Sequence, residues 1–188
     1  MLDDHVNQLR TDARHNYEQV VEAAIAALAE NGIGATVTDI AARAGVGRAT
    51  VYRSFPKRED LLAAVAAHKL EIFTVRVDEA LARADAWEAF VDLLHEMAAA
   101  QVNDRVFAEV VEQLGDHPLL APHLEAVSAR MRRLLEQAKA TGKMQPGLTY
   151  DQLSVLVAGT ARVLADRGET DLAVWRANTD LIVRAARA

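Results

Sequence analysis

The chain has 188 residues and a formal net charge of −6; 51% of its residues are hydrophobic and 26% are charged. This composition is typical of a soluble globular protein, either one domain or a small domain fused to a larger one, and excludes a largely disordered chain. The absence of cysteine excludes disulfides, thiolate metal sites and cysteine nucleophiles.

The sequence also lacks the features of a membrane or exported protein. No apolar run approaches the roughly 18 residues of a spanning helix. The start, MLDDHVNQLR, lacks the basic beginning and apolar core of a signal peptide. We therefore expect a cytoplasmic protein.

The first third of the chain predicts three helices of an all-α fold, because apolar residues recur at spacings of three and four with almost no strand-like alternation. A first helix is expected over about residues 11–30. Thr36 and Asp39 have the spacing of a capping box, which opens a second helix that ends at Gly45. A third helix is expected over 47–55, before a proline.

The rest of the chain predicts a long helix followed by a larger helical part. The long helix, over about 57–83, has two apolar faces, which suits a link between an N-terminal module and a C-terminal one. The later signals are a start at Asp85, a cap at Asn103, a corner at Gly115, Pro118 and Pro122, a helix to about 140, and closing helices over 150–166 and 171–186 opened by Thr149 and Thr170.

The stretch AGVGRATVYRSFP, residues 44–56, has two interpretations. A phosphate-binding loop needs a strand before its glycines, and here a helical stretch precedes them. A helix-turn-helix needs a small residue at the crossing, a glycine in the turn and apolar anchors. Ala41 and Gly45 meet the first two needs, and Ile40, Val46 and Val51 are the anchors. The sequence favours a helix-turn-helix.

The predicted second helix of this motif has an outward face suited to duplex DNA. Arginine reads guanine through two hydrogen bonds, alanine and threonine methyl groups contact thymine, and tyrosine reaches a phosphate. Residues 40–58 carry five basic residues and no acid in an otherwise acidic chain. The expected DNA-binding residues are Thr36, Thr38, Arg43, Arg48, Ala49, Thr50, Tyr52, Arg53, Lys57 and Arg58.

The segment TVTDIAARAGVGRATVYRSFPKREDLLAAV resembles the DNA-binding segment of the TetR family of transcriptional regulators, over about residues 14–65. Gly47 stands where the family commonly has a capping serine, and Arg58 where a lysine is usual. The resemblance implies a three-helix DNA-binding domain over 1–56 and a larger helical effector-binding and dimerisation domain over 57–188. It also implies that residues around Arg10 and Arg14 approach the DNA backbone or minor groove.

The same resemblance implies the partners: an inverted-repeat operator in double-stranded DNA, a small-molecule effector, and a second copy of the chain that forms a dimer mostly through the last two helices. No cofactor is expected. The sequence leaves open whether those helices pack within one chain or between two. The residues expected in the dimer interface are Leu153, Leu156, Val157, Thr160, Leu164, Trp175, Leu181 and Ile182, with small residues at Ala158, Gly159 and Ala161.

Apolar stripes in the C-terminal part either form the core or line an effector pocket. Two histidines, His68 and His95, lie nearest these stripes and are expected to orient a ligand. The candidate ligand-binding residues are His68, Trp87, Phe90, His95, Phe107 and Met131. His117, His123 and Glu125 do not have metal-ligand spacing, because two prolines interrupt the helix there. We expect no metal site.

The sequence therefore predicts a ligand-responsive DNA-binding regulator, most simply a repressor released from its operator by a small molecule. A helical enzyme lacks support, since the chain has no nucleophile elbow, no acid pair beside a histidine and no nucleotide loop. The alternative is a helical adaptor whose basic face binds an acidic protein partner. Neither the effector nor the operator sequence follows from the residues.

Overall fold

The computed structural model describes the backbone of residues 2–102 and 104–188 and the side chains of residues 14–102, 104 and 106–188. Within that part of the chain the protein is all helical, as predicted, and has no β-strand. The described residues form nine α-helices in this order: α1 (Leu2–Asn31), α2 (Val37–Ala44), α3 (Arg48–Ser54), α4 (Arg58–Leu81), α5 (Ala86–Gln101), α6 (Arg105–Leu114), α7 (Ala121–Ala140), α8 (Tyr150–Asp166) and α9 (Leu172–Ala186). A short 3-10 helix, Gly32–Gly34, joins α1 to α2.

The first three helices pack around a small shared core. α1 contributes Val20, Ala24 and Leu28, which are 0–4% exposed, and α2 contributes Ile40. Val51 of α3 is also fully buried. Burial of one apolar face per helix is what fixes helices this short, because α2 and α3 have only 8 and 7 residues and are too short to be stable alone.

Helix α4 connects this small bundle to the remaining helices. The stretch after its first turn is buried on all sides, since every residue from Leu61 to Ala67 is at most 9% exposed. It packs against α1, α5, α6 and α7. The second apolar face expected from the sequence does not continue along the helix, because Ile72 and Val75 are 55% and 57% exposed.

The C-terminal helices extend the same hydrophobic core. Trp87 and Phe90 of α5 and Leu134 of α7 lie among its largest fully buried side chains. α8 and α9 pack on each other, and α9 also packs on α5. A backbone hydrogen bond connects the C-terminal end of α9 to the segment after α7: the N–H of Gln145 donates to the carbonyl oxygen of Ala186 at 2.9 Å. One hydrophobic core cluster includes residues of both predicted domains. The predicted domain boundary at residue 56 therefore stays a prediction.

Several predicted boundaries hold and two caps differ. The capping boxes at Thr36 and Thr149 are confirmed. Asn103 lies outside the described residues, and the cap of α6 is Asp104, whose carboxylate accepts from the backbone N–H of Phe107 at 3.2 Å. Thr170 was wrong as the start of α9, because Asp171 takes that position and accepts from the N–H of Ala173 at 2.8 Å.

Residues 2–102 and 104–188 contain no candidate membrane-spanning helix. None of the helices in those ranges combines the length and the hydrophobicity that crossing a bilayer requires.

Candidate nucleic-acid interface

The first helix of the motif begins with a reciprocal cap. The hydroxyl of Thr36 accepts from the backbone N–H of Asp39 at 3.2 Å, and the carboxylate of Asp39 accepts from the backbone N–H of Thr36 at the same distance. The Thr36 hydroxyl also donates to that carboxylate at 2.6 Å, and this bond is the main cause of the lowered pKa of Asp39. The backbone N–H groups in the first turn of a helix have no partner within the helix, and they suit a phosphate.

The turn between α2 and α3 depends on a glycine. Gly45 has φ +67°, the left-handed conformation that costs other residues free energy. The backbone N–H of Val46 then donates to the carbonyl oxygen of Ala41 at 3.0 Å and closes the turn. Gly47 caps α3 without a side-chain hydrogen bond, in agreement with the sequence expectation for a glycine at that position.

Helix α3 is anchored on one face and open on the other. Val51 and the following Phe55 are 1% and 2% exposed. The side chains of Arg48, Ala49, Tyr52 and Arg53 are exposed, and Thr50 is half-buried. Within the part of the chain that the structure describes, neither Arg48 nor Arg53 makes a hydrogen bond or an ion pair. Both guanidinium groups are therefore available to an external acceptor.

A surface groove beside α3 gathers five of the predicted DNA-binding residues. It lies between the start of α2, α3 and the start of α4, and its volume is about 340 Å³. Its lining includes Thr36, Thr38, Tyr52, Lys57 and Arg58. Hydroxyls, a helix N-terminus and two cationic side chains on one concave surface form an arrangement that accepts a phosphate backbone.

Three predicted basic residues have partners inside the chain. Arg43 pairs with Glu30 of α1. The guanidinium of Arg58 donates to the carbonyl oxygen of Ala35 at 2.8 Å and to that of Ile33. Arg14 pairs with Glu18 at 2.8 Å. The side chain of Arg10 lies outside the described residues. The roles of all the predicted DNA-binding residues stay predictions.

Comparison with known proteins identifies this motif. The model for bacterial regulatory proteins of the tetR family matches residues 20–65, from the middle of α1 to the start of α4. The solved TetR transcription regulatory protein from Mycobacterium vanbaalenii is 28% identical, and the match covers 85% of this chain and 98% of that one with a TM-score of 0.63. The helix-turn-helix segment is therefore that of the TetR family.

Two further relatives are similar to this chain over different lengths. The HTH-type transcriptional repressor LfrR of Mycolicibacterium smegmatis (strain ATCC 700084 / mc(2)155) is 43% identical over 61 residues, 32% of each protein, so the match spans about a third of that relative's length. The transcriptional regulator FadR from Bacillus subtilis, solved in complex with stearoyl-CoA, is 22% identical with a TM-score of 0.67. That match covers 89% of this chain and 97% of FadR and shows the shared fold.

The predicted ligand-binding residues are not gathered at one place. Trp87, Phe90 and Met131 are at most 5% exposed within the core, and Phe107 packs against it. His95 lies 3.2 Å from a carboxylate oxygen of Asp180, which joins α5 to α9. His68 lines a separate cleft beside α1. Their part in binding a ligand stays a prediction.

The predicted interface residues divide between the inside and the surface of the protomer. Leu153, Leu164, Trp175 and Ile182 are at most 9% exposed, whereas Leu156 and Leu181 are 43% and 56% exposed. Val157 and Thr160 are half-buried. Val155, which is 70% exposed on α8, was not predicted from the sequence, whereas Val163 of the same helix is 48% exposed and belongs to its apolar stripe. The spacing of four between Val155 and Gly159 was the available signal.

One polar contact that the sequence did not predict joins the two halves of the chain. Nε2 of His117, in the corner before α7, lies 3.1 Å from a carboxylate oxygen of Asp60 in the first turn of α4. Nδ1 of His117 accepts from the backbone N–H of Leu119 at 3.2 Å, so in this arrangement the Nε2–H donates to Asp60. The other oxygen of Asp60 caps α4 by accepting from the N–H of Lys57 at 2.9 Å.

Metal ligands are not clustered in the described ranges. No three histidine, aspartate or glutamate side chains there are arranged to bind an ion. The expectation that the protein needs no metal stays a prediction.

Proposed function

We propose that this chain is a ligand-responsive, sequence-specific DNA-binding transcriptional regulator that acts in the cytoplasm as a homodimeric repressor. The observation that carries the proposal is the outer face of α3, where Arg48 and Arg53 have no partner in the described part of the chain while Val51 fixes the helix from below. A rigid helix with free guanidinium groups is what reading of guanine in a major groove requires.

The proposed contacts divide into base contacts and backbone contacts. Arg48, Thr50 and Arg53 of α3 are assigned to base edges, because they project from the helix that would enter the groove. Tyr52 and Lys57 line the groove beside α3 and are assigned to phosphates. The phosphate contacts supply affinity that falls with salt, whereas the base contacts supply specificity.

The alternative, a helical adaptor that binds an acidic protein, explains the positive charge but not the geometry. An adaptor has no need of a helix-turn-helix with its turn fixed by Gly45. TetR-family regulators are in general not enzymes, and we extend that to this chain, in which the sequence offers no nucleophile elbow or nucleotide loop.

For the effector we propose a small, mainly apolar molecule bound among the C-terminal helices. FadR from Bacillus subtilis was solved with stearoyl-CoA. In this chain a small cavity of about 20 Å³ lies between α5, α8 and α9, lined by residues such as Leu94, Val157 and Trp175. That volume holds about one water molecule. An effector in this place would have to displace a helix, and displacement is how its binding would reach the DNA-binding helices.

For the dimer we propose the outer face of α8 and α9. Val155, Gly159 and Val163 lie on one side of α8, and Leu181 lies on α9. An exposed apolar stripe with a glycine at its centre allows close helix packing between two copies. A two-fold dimer would place the two α3 helices in major grooves roughly 34–36 Å apart.

The first test is selection of bound duplexes from a random DNA pool by the purified protein at two salt concentrations. We expect enrichment of an inverted repeat. Arg48→Ala should weaken binding to the selected operator by about tenfold or more, with little change on random DNA. Lys57→Ala should weaken binding to both DNAs similarly and reduce the salt dependence.

The matched control is Arg133→Ala, which removes an exposed arginine of α7 that has no partner in the described part of the chain. It changes the net charge by the same amount and should leave operator binding unchanged. Salt-sensitive retention of all sequences without enrichment would refute sequence-specific reading and favour the adaptor.

A further inference from the structure

A second concave surface lies between the DNA-binding bundle and the C-terminal helices. It is bounded by α1, the first half of α4 and the corner that leads into α7, and we call it the α1/α4/α7 cleft. Its volume is about 520 Å³, within the range of small-molecule sites. It is separate both from the groove beside α3 and from the cavity between α5, α8 and α9.

The floor of the cleft is apolar. Val21 of α1 and Ala64 and Ala67 of α4 line it and are at most 7% exposed. Leu119, which is 43% exposed, forms part of the opposite wall. Tyr17, which is 37% exposed, also lines the cleft. Such a surface binds a hydrocarbon or aromatic body by excluding water from it.

The rim of the cleft carries more negative than positive fixed charge. Glu18, Glu22 and Glu71 line it, and Arg14 is the lining arginine. Arg14 is already paired with Glu18 at 2.8 Å. Glu22 makes no ion pair within the described side chains. The pKa of Tyr17 is raised by burial and, to a smaller extent, by the charge of Glu71, so the field of this carboxylate reaches into the cleft.

Glu71 is the carboxylate best placed to meet a bound cation. One of its oxygens lies 3.9 Å from Nδ1 of His68 and the other lies 3.9 Å from Nδ1 of His123. Neither distance is that of a hydrogen bond, so the carboxylate is not satisfied by these two rings. The three residues are not arranged as ligands of a metal ion within the described ranges. An organic cation fits this site better than a metal does.

We propose that the α1/α4/α7 cleft binds a monovalent organic cation with an apolar body. The body lies on Val21, Ala64 and Ala67, and the positive charge lies between Glu22 and Glu71. The exposed side of the Tyr17 ring adds a cation–π contact. This site is additional to the effector site proposed above among the C-terminal helices.

An occupant of the cleft contacts both halves of the molecule. The Tyr17 ring packs against Phe55 with 4.9 Å between ring centroids, and Phe55 is the residue at which α3 ends. Across the cleft, Leu119 and His123 belong to the corner and first turn that lead into α7. Binding therefore fixes the position of α1 and α3 relative to α7. This consequence for DNA binding rests on the proposed function, whereas the binding itself does not.

The test is isothermal titration of the full chain with tetraphenylphosphonium and with tetraphenylborate in sodium buffer. The two ions have the same shape and opposite charge. We expect one phosphonium per protomer and no binding of the borate. Glu22→Gln combined with Glu71→Gln should weaken phosphonium binding at least about tenfold, and raising the salt concentration should weaken binding to the wild type.

The matched control is Glu88→Gln, which removes an exposed carboxylate of α5 outside the cleft and should leave phosphonium binding unchanged. Circular dichroism melting checks that the double variant is folded. Absence of phosphonium binding, equal binding of the borate, or equal binding by the double variant would each overturn the proposal. Selection of an operator by the same preparation tests the regulator function separately, so either proposal can fail while the other stands.

Discussion

The guanidinium of Arg58 holds the segment before α2 against the start of α4. It donates to the carbonyl oxygens of Ile33 and Ala35. Hydrogen bonds from a charged donor are worth more than neutral ones. The neighbouring Lys57 has an exposed side chain and lines the groove beside α3. Adjacent basic residues thus have different tasks.

Replacing Arg58 separates structural from DNA-binding charge. Arg58→Ala should lower the free energy of unfolding by ~1–2 kcal/mol, because two carbonyl oxygens lose a charged donor. Lys57→Ala should leave that free energy nearly unchanged and lower DNA affinity. Urea unfolding followed by circular dichroism measures the first effect. An Arg58→Ala variant with wild-type stability but weakened DNA binding would show that Arg58 serves phosphates instead.

For single residues, the sequence predicts which side chains face outward better than it predicts which residues they contact. The outward positions of Arg48 and Arg53 follow from helical spacing around the buried Val51. The partners of Arg58 are 23 and 25 residues away in the chain, and local spacing contains no information about them. The same holds for His117, which meets Asp60 across 57 residues.

At the scale of elements, caps determine where several helices begin. Asp85 starts α5, and one of its oxygens accepts from the backbone N–H groups of Trp87 and Glu88, both at 3.1 Å. Its other oxygen accepts from Nζ of Lys143 at 2.8 Å. The bond to Lys143 is the largest cause of the lowered pKa of Asp85, followed by the backbone bond from Glu88. One side chain therefore joins the start of α5 to the segment after α7.

The lowered pKa of Asp85 predicts a dependence of stability on pH. Because the pKa in the folded chain is below the ordinary 3.8, the ionised carboxylate stabilises the fold above that value, and the stabilisation is lost as the pH falls through the lowered pKa. Asp85→Asn keeps a good cap and removes the charge. The difference in unfolding free energy between wild type and variant should be present at pH 7 and shrink below about pH 4.

The measurement is urea unfolding of both proteins between pH 7 and pH 3. Lys143→Met provides the matched background, because in it the Asp85→Asn substitution should cost less at pH 7. A difference that is constant with pH, or equal in the two backgrounds, would contradict a charged contact between these residues.

Helix starts with a two-sided signal were predicted better than those with one polar residue. Thr36 with Asp39, and Thr149 with Gln152, gave reciprocal caps that the structure contains. Thr170 precedes an aspartate, and either can cap a helix. Asp171 takes the position because its carboxylate reaches the backbone N–H of Ala173. Choice between neighbours depends on backbone geometry, which periodicity does not specify.

For the whole molecule, the sequence predicts helices and their apolar faces but not which faces meet. The α1/α4/α7 cleft brings together residues 14–22, 64–71 and 119–123, which no local pattern connects. Four of the eight predicted interface residues are buried within the protomer because α8 and α9 pack on each other and α9 packs on α5. A helix stripe wide enough for two partners looks the same in sequence as one that serves a single core.

The exposed side of α8 yields a prediction about assembly. An added Cβ at Gly159 meets no atom within 4 Å in the protomer, so Gly159→Leu fits the isolated chain and raises helix propensity by up to ~1 kcal/mol relative to glycine. If two copies pack closely across this glycine, the leucine separates them, and the dimer dissociation constant should rise at least about tenfold. Sedimentation velocity over a concentration series measures it.

Ile72→Glu on α4 is the control for this assembly test. Ile72 is an exposed apolar residue outside the proposed interface, and its exposed fraction of 55% is similar to the 48% of Val163 in that interface. Ile72→Glu should leave the dimer intact.

Loss of the dimer should also change how the Gly159→Leu protein binds DNA. It should bind a single half-site of the selected operator with the affinity of one DNA-binding domain. It should lose the preference for the inverted repeat, because recognition of the repeat depends on the distance between two DNA-binding domains. An unchanged dimer in Gly159→Leu together with dissociation in Ile72→Glu would place the interface on α4 and transfer the reading of half-site spacing to that surface.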